Sequence, residues 1–128
     1  VEFIHRARRF RKMCGGAMRQ AGIIAAGAIY ALEHHRTRLV QDHINAQELA
    51  QALAQMPGID LDPAFVETNI IIFRVTSMTA AQLAEKLHNA GVYVLATAPD
   101  TIRAITHLDI TSEQINQAID IFRKILIE

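Results

Sequence analysis

The sequence has little of several features that define common protein classes. Cys14 is its only cysteine among 128 residues, so an intrachain disulfide and a secreted disulfide scaffold are excluded. The longest apolar run, Ala21 to Leu32, falls short of the roughly 18 residues that a membrane-spanning helix needs. Hydrophobic residues make up 51% of the chain and charged residues 20%, which excludes disorder. We therefore predict a folded protein outside the membrane, in the reducing cytoplasm.

The net charge of the chain is zero, but the charged side chains are unevenly distributed along it. Residues 1–38 hold eight basic and two acidic side chains, whereas the remainder holds five basic and eleven acidic ones. This division favours an anion site or electrostatic contact with another chain. The first residue is Val1 rather than Met, and it precedes an amphipathic pattern. We therefore expect the chain to continue a longer protein, as a processed or truncated piece.

The first 36 residues predict two helices of different kinds. Residues 2–13 form a basic helix with an apolar stripe that includes Phe3 and Phe10, and it ends at Gly15-Gly16. The second predicted helix, 17–33, is apolar on nearly every face, so it must be covered. A chain this short offers little cover. We expect an absent segment or a second subunit to bury this interface helix.

Residues 37–128 predict a small α+β domain. A helix over about 37–56 precedes segments that alternate in the order β-α-β-β-α, at 66–75, 79–89, 92–95, 101–106 and 111 onwards. Thr79-x-x-Gln82 and Thr111-x-x-Gln114 are capping-box patterns that open two of the helices. A parallel crossover between the first two strands leaves room for the third to lie antiparallel between them. We expect a small antiparallel sheet with helices on one face.

The histidines and acidic residues of 37–128 are weak candidates for a metal site or a catalytic base. His and Cys spacings typical of metal ligands do not occur, so we predict no metal site. Asp42 and His43 could form an oriented general base, yet a packing histidine is the favoured interpretation. The reason is that His43 falls on the predicted inward stripe of its helix, which comprises Leu39, His43, Ala46, Ala50 and Leu53. His107 follows a predicted strand, where a pocket rim and a structural role both stay open.

The segment between the two N-terminal helices suggests an anion site. Glycines before a helix N-terminus let backbone N–H groups converge on an anion, and Lys12 and Arg19 would flank it. Nucleic acid is an alternative ligand for the basic helix. Few aromatic residues interleave with its charges, and the acidic remainder would repel phosphates, so we predict no nucleic-acid binding. A basic helix without any ligand is the third interpretation.

Four ordered stretches carry a family resemblance. They are RRFRKMCGGAMRQAGIIAA at 8–26, DHINA at 42–46, ETNIIIF at 67–73 and IRAITHLDI at 102–110. They resemble the R-K-M-x-G-G-G-M-R-Q-x-G, D-H-x-N-A, T-N-hydrophobic and R-x-V-T-H-L-D-V patterns of the low-specificity L-threonine aldolases. These enzymes belong to the aromatic amino acid β-eliminating lyase and threonine aldolase family. The chain departs from the pattern at Ala17, where a third glycine would let the backbone approach a ligand more closely.

The resemblance implies the C-terminal portion of a fold-type-I pyridoxal-phosphate enzyme. Residues 1–36 would end its large-domain part, and residues 37–128 would form its small domain. Such an enzyme is a homodimer or homotetramer that uses pyridoxal 5′-phosphate to cleave L-threonine or L-allo-threonine to glycine and acetaldehyde. By motif position, Arg103 resembles the family's substrate-carboxylate arginine. Lys12 and Arg19 resemble residues on the cofactor side of the active site.

A lysine that binds the cofactor covalently is missing. Pyridoxal-phosphate enzymes need one, but Lys12, Lys86 and Lys124 are the only lysines here, and none lies in the family's S-K-G-L setting. The chain alone is therefore predicted to be inactive, with the missing large domain as its first partner. The alternative is a non-catalytic ligand-binding or protein-interaction module that keeps the small-domain fold.

Overall fold

The computed structural model describes residues 1–127, which form two separate units. The first unit is Val1–Thr37, and the second begins at Arg38. Every residue that the described chain buries lies in the second unit. Among the described residues, no helix is both long enough and apolar enough to cross a membrane.

Two helices make up the first unit, α1 (Glu2–Met13) and α2 (Gly22–His34). The helix α1 ends before the glycine pair as predicted, and Gly15 has a φ of 76°, in the left-handed region that follows many helix ends. The helix α2 begins five residues beyond the predicted start at Ala17, because Gln20, with a φ of 52°, interrupts the helical backbone. No residue of α2 is buried within the described chain. Its cover by a further segment or a second subunit stays a prediction.

An antiparallel sheet with helices on one face forms the second unit, as predicted. Its elements are α3 (Leu39–Leu53), β1 (Ile59–Asp60), β2 (Ile70–Val75), α4 (Ala80–Asn89), β3 (Leu95–Ala98), β4 (Thr101–Ile105) and α5 (Ser112–Ile127). The strand order is β1-β2-β4-β3, so β4 lies antiparallel between β2 and β3, which confirms the crossover argument. The short edge strand β1 and one turn of 3-10 helix at Pro63–Phe65 were not predicted.

The strand β3 begins at Leu95 rather than at the predicted Val92. The amide of Val92 donates to the carbonyl oxygen of Leu87 at 2.8 Å, and Nε2 of His88 lies 2.9 Å from the carbonyl oxygen of Val94, to which it can donate. These bonds tie the preceding segment to the end of α4 instead of to β4. The valine-rich run at 92–95 predicted extended backbone, but it did not show which element its backbone would form hydrogen bonds with.

The core lies between the sheet and helices α3, α4 and α5. Alternate residues of β2 are buried, and Phe73 of this strand meets Phe122 of α5 edge-to-face, with ring centroids 6.1 Å apart. Leu83 and Leu87 of α4 are fully buried in the same cluster. The period-two alternation of a strand directs the remaining side chains of the sheet to the opposite face. That face is exposed or half-buried along β2 and β4.

The inward face of α3 differs from the predicted stripe. The buried residues are Asp42, Asn45, Ala46, Leu49, Ala50 and Leu53, whereas Leu39 is exposed and His43 is half-buried. The predicted stripe was right for Ala46, Ala50 and Leu53 but wrong for these two. Asp42 and Asn45 take the inward positions because hydrogen-bond partners satisfy their polar atoms there, which apolar periodicity cannot anticipate.

Both predicted capping boxes are present. The Thr79 hydroxyl accepts from the Gln82 amide at 3.2 Å, and the Gln82 side chain accepts from the Thr79 amide at 3.0 Å. Thr111 and Gln114 repeat the arrangement at 3.2 and 2.9 Å. Each box satisfies backbone donors that a helix start leaves without partners.

Replacing Thr79 by alanine should lower the free energy of unfolding by about 1 kcal/mol, because the Gln82 amide loses its acceptor. Urea denaturation of the purified protein measures the change. Thr79→Ser is the matched control, since serine keeps the hydroxyl acceptor and should retain most of the stability. Equal losses in the two variants would contradict a capping role for the hydroxyl.

Candidate functional site

The sheet surface opposite the three helices is the candidate site, which we call the open face. Its members alternate with the buried residues of the strands, and they are Ile70, Ile72, Arg74, Leu95, Thr101, Arg103 and Ile105. The side chains of Ile72 and Leu95 are more than half exposed. The open face therefore presents an apolar surface that contains two guanidinium groups.

Arg103 lies in the middle of the open face. Its Cα partners are Ile72 on β2 and Leu95 on β3, so aliphatic side chains flank it on both neighbouring strands. Its Nε atom is buried, and it has no hydrogen-bond partner among the described residues. No ion pair involving Arg103 is found in that part of the chain either. A guanidinium with a buried, unsatisfied N–H donor on an apolar surface is suited to bind an anion, in particular a carboxylate.

The second guanidinium, that of Arg74, is already paired. Its Nε and Nη2 atoms donate to Oδ2 of Asp100 at 3.0 and 2.8 Å, and Thr101 donates to Oδ1 of the same carboxylate at 2.9 Å. The hydroxyl of Thr101 and the guanidinium of Arg74 both lower the pKa of Asp100 below its ordinary value. The two arginines of the open face thus differ, because Arg74 binds the carboxylate of Asp100, whereas Arg103 binds no carboxylate of the described residues.

Three of the four resembling stretches meet in a polar cluster between α3 and the segment that joins β4 to α5. The Thr106 hydroxyl donates to the carbonyl oxygen of Asp42 at 2.7 Å, and the Asn69 side chain donates to that of Thr106 at 2.7 Å. Asn45 donates to the carbonyl oxygen of Ile110 at 3.2 Å and accepts from Ser112 at 2.9 Å. Sequence reasoning missed this cluster. Its one available signal was polar residues at inward helix and strand positions.

The Asp42-His43 pair does not form a catalytic base in this arrangement. The Asp42 carboxylate binds Arg38 through both oxygens, at 2.8 and 3.2 Å. That pair is largely enclosed, because the Asp42 side chain is 4% exposed. His43 is half-buried and is not among the buried residues of α3. The Asp42 carboxylate is thus bound by Arg38 rather than by His43. His43 does not occupy the core position that was predicted.

Lys12 and Arg19 lie in the first unit, on either side of the glycine pair. Lys12 is in the last turn of α1, Arg19 is in the segment before α2, and both side chains are exposed. The prediction that the glycine amides converge on an anion is wrong for this backbone. The amide of Gly15 donates to the carbonyl oxygen of Lys12 at 3.1 Å, and that of Gly16 donates to Arg11 at 2.8 Å. These amides close the end of α1, so only the two side chains remain as candidates.

His107 lies where β4 ends, beside a cavity of about 420 Å³. The cavity is lined by parts of β4, α5 and the segment before β3. Nδ1 of His107 accepts from the amide of Asp109 at 3.3 Å, and its side chain is 53% exposed. That hydrogen bond gives His107 a local role in the turn. Among the described residues, no group of three His, Cys, Asp or Glu side chains could hold a metal ion.

Comparison with known proteins defines the class to which this fold and these motifs belong. A family model described as beta-eliminating lyase matches residues 1–78. The match covers more than half of the chain, so the chain belongs to the beta-eliminating lyase family.

Particular relatives share the resemblance along most of the chain. The low specificity L-threonine aldolase of Escherichia coli K12 is 41% identical over 114 residues, which are 89% of this chain and 33% of that protein. The low-specificity L-threonine aldolase 1 of Arabidopsis thaliana is 34% identical over 128 residues, or 98% of this chain and 36% of that protein. The chain therefore spans about a third of the length of these relatives.

Solved structures show the same fold at lower identity. The cystine C-S lyase C-DES, in complex with its product cysteine persulfide, superposes with a TM-score of 0.64 at 23% identity, over 80% of this chain and 28% of that one. The 8-amino-7-oxononanoate synthase of Francisella tularensis gives 0.59 at 23% identity, over 84% and 32%. The predicted fold, that of a part of fold-type-I pyridoxal-phosphate enzymes, is confirmed.

The described residues do not by themselves form a pyridoxal-phosphate site. Such enzymes bind the cofactor through a lysine, in a site closed to water. Lys12, Lys86 and Lys124 are all exposed and lie on helices α1, α4 and α5. The buried and unpaired Nε of Arg103 fits an anionic substrate instead.

Proposed function

We propose that this chain is the C-terminal part of a pyridoxal-phosphate-dependent threonine aldolase and that it binds the carboxylate of the amino acid substrate through Arg103. The reaction is the cleavage of L-threonine or L-allo-threonine to glycine and acetaldehyde. The cofactor, held by the remainder of the enzyme, supplies the electron sink for this cleavage. The observation that carries the proposal is the unpaired, partly buried guanidinium of Arg103 within a segment that matches the family pattern.

The surroundings of Arg103 support this role. The planar guanidinium can donate two parallel hydrogen bonds to a carboxylate, which fixes the orientation of the substrate as well as its affinity. The Nε atom of Arg103 is already shielded from water, which strengthens a hydrogen bond that it donates to a carboxylate. Orienting the substrate is the contribution that this chain can make without holding the cofactor itself.

The first unit also has roles in the proposal, namely its place in the large domain, two cofactor-side residues and an interface helix. We assign residues 1–36 to the end of the large domain and residues 37–128 to the small domain. Lys12 and Arg19 are proposed to face the cofactor side of the active site, since both are free of ion pairs among the described residues. The exposed apolar residues of α2, including Ile23 and Leu32, support contact with the remainder of the large domain or with a second subunit of a homodimer or homotetramer.

Expression of the complete open reading frame that contains this chain tests the proposal. The purified product with pyridoxal phosphate should release acetaldehyde and glycine from L-threonine. The chain of residues 1–128 by itself should release neither, and it should give no stoichiometric change in the absorption spectrum of the cofactor. The reason is that each of its lysines is exposed to water and lacks an enclosed site.

The matched controls are Lys12→Met, Lys86→Met and Lys124→Met in the isolated chain. A stoichiometric cofactor band that one of these substitutions abolishes would contradict the predicted inactivity. A complete protein that binds glycine without cleaving threonine would instead favour the alternative, a non-catalytic ligand-binding module with the lyase fold.

A further inference from the structure

The charged groups nearest to Arg103 on the open face belong to one small network. In the pairing of β2 with β4, Arg103 lies opposite Ile72, and Thr101 lies opposite Arg74. Arg74 and Arg103 are therefore diagonal neighbours on the same face, a separation of about 7–8 Å that long side chains can bridge. Thr101 precedes Arg103 by two residues on the same side of β4, a distance of about 7 Å. The carboxylate bound by both Arg74 and Thr101 is that of Asp100.

Asp100 has a side-chain carboxylate, which is the group that Arg103 is proposed to bind on the substrate. Both of its oxygens are engaged, Oδ2 by two N–H donors of Arg74 and Oδ1 by the hydroxyl of Thr101. A second carboxylate, Asp60, lies directly opposite Arg74 on β1 and is exposed. Arg74 therefore binds one carboxylate at this end of the sheet, lies opposite another, and is the diagonal neighbour of Arg103.

We propose that Arg74 is a positioning residue that acts through Asp100: by holding this carboxylate, Arg74 keeps the guanidinium of Arg103 free for the carboxylate of the amino acid substrate. The inference rests on the proposed function of Arg103. Without Arg74, the carboxylate of Asp100 would become an intramolecular competitor for Arg103. Its negative charge would also repel the incoming substrate. Both effects weaken substrate binding and leave the chemistry of the bound substrate unchanged.

Steady-state kinetics of the complete enzyme with L-threonine test this role. Arg74→Gln should raise KM by about 5- to 20-fold and leave kcat within two-fold of the wild type, because the carboxylate of the substrate is bound less tightly to the same extent in the ground state and in the transition state. Arg74→Lys should recover most of the affinity, since lysine still neutralises Asp100. The dissociation constant for glycine, measured by calorimetry, should rise with KM.

The double variant Arg74→Gln with Asp100→Asn separates this role from a structural one. It removes the competing carboxylate of Asp100 together with the guanidinium of Arg74 that binds it. KM should therefore return to within about two-fold of the wild type. If Arg74 only stabilised the sheet, removal of its partner would give no recovery. Thr101→Val, which removes the other donor to Asp100, should raise KM in the same direction by a smaller factor and provides a second route if Arg74→Gln does not fold.

Arg123→Gln is the matched control. Arg123 donates to Asp120 at 2.9 Å in another exposed Arg–Asp pair, which lies on α5 away from the open face, and its loss should leave KM and kcat unchanged. An unchanged KM in Arg74→Gln, or an equally raised KM in the double variant, would overturn the inference while leaving Arg103 in its role. A complete protein that neither cleaves threonine nor binds glycine overturns the proposed function, and the inference with it.

Discussion

Replacement of Arg103 by alanine in the complete enzyme should lower kcat/KM for L-threonine by about thirty-fold to several-thousand-fold. The factor corresponds to the roughly 2–5 kcal/mol that is lost when one partner of a desolvated charge pair is removed. The Nε atom of Arg103 is buried, and the neighbouring Ile72 and Leu95 side chains offer no hydrogen-bond donor that could replace the guanidinium. Initial rates of acetaldehyde release over a range of threonine concentrations measure the loss.

Arg103→Lys should also be strongly impaired, because an ammonium group is a point charge that lacks the planar pair of donors. Bound pyridoxal phosphate should give the same absorption spectrum in both variants as in the wild type, since the described chain offers no site for the cofactor beside Arg103. A near-normal kcat/KM in Arg103→Ala would refute the assigned role. Loss of the cofactor from a correctly folded Arg103→Ala variant would refute it as well.

Gly58→Ala should destabilise the protein by about 2–5 kcal/mol, the second large effect that we expect. Gly58 has a φ of 80°, where a residue with a Cβ is strained by about 1–2 kcal/mol. An added Cβ would also lie 2.5 Å from Oγ and 2.8 Å from Cβ of Ser77. The hydroxyl can rotate away, but the Cβ of Ser77 cannot, so the chain must shift at a further cost of about 1–3 kcal/mol. Urea denaturation of the purified protein measures the total.

Gly91→Ala is the matched control for the backbone part of this effect. Gly91 has a φ of 88°, and nothing lies within 4 Å of an added Cβ, so its substitution should cost only about 1–2 kcal/mol. In a Ser77→Gly background, Gly58→Ala should lose its steric part and approach the Gly91→Ala value. If the cost at Gly58 stays the same in that background, contact with Ser77 is not its cause.

The prediction of the second unit succeeded where the signals were local. The capping boxes at Thr79 and Thr111 marked the two helix starts, because a side chain that satisfies backbone donors three residues away needs no tertiary partner. The placement of β4 between β2 and β3 also followed, since a crossover of fixed handedness leaves few arrangements for three strands. Predictions failed where a distant partner decided the outcome, as at Asn45, whose buried side chain bonds to Ile110 and Ser112. His43, which was predicted on the inward stripe, is only half-buried.

Sequence alone determined the five helices, the placement of β4 between β2 and β3 and the choice of Arg103, because apolar period, capping pattern, crossover handedness and motif position are read along the chain. It did not determine the edge strand β1 or the starts of α2 and β3. Only the tertiary structure decided that Arg103 lies between Ile72 and Leu95 with a buried and unpaired Nε, while Arg74 on the same face is already bound to Asp100. The physical reason is strand register. A shift of one residue between β2 and β4 would reverse which side chains share a face, and the long-range packing of the core sets that register.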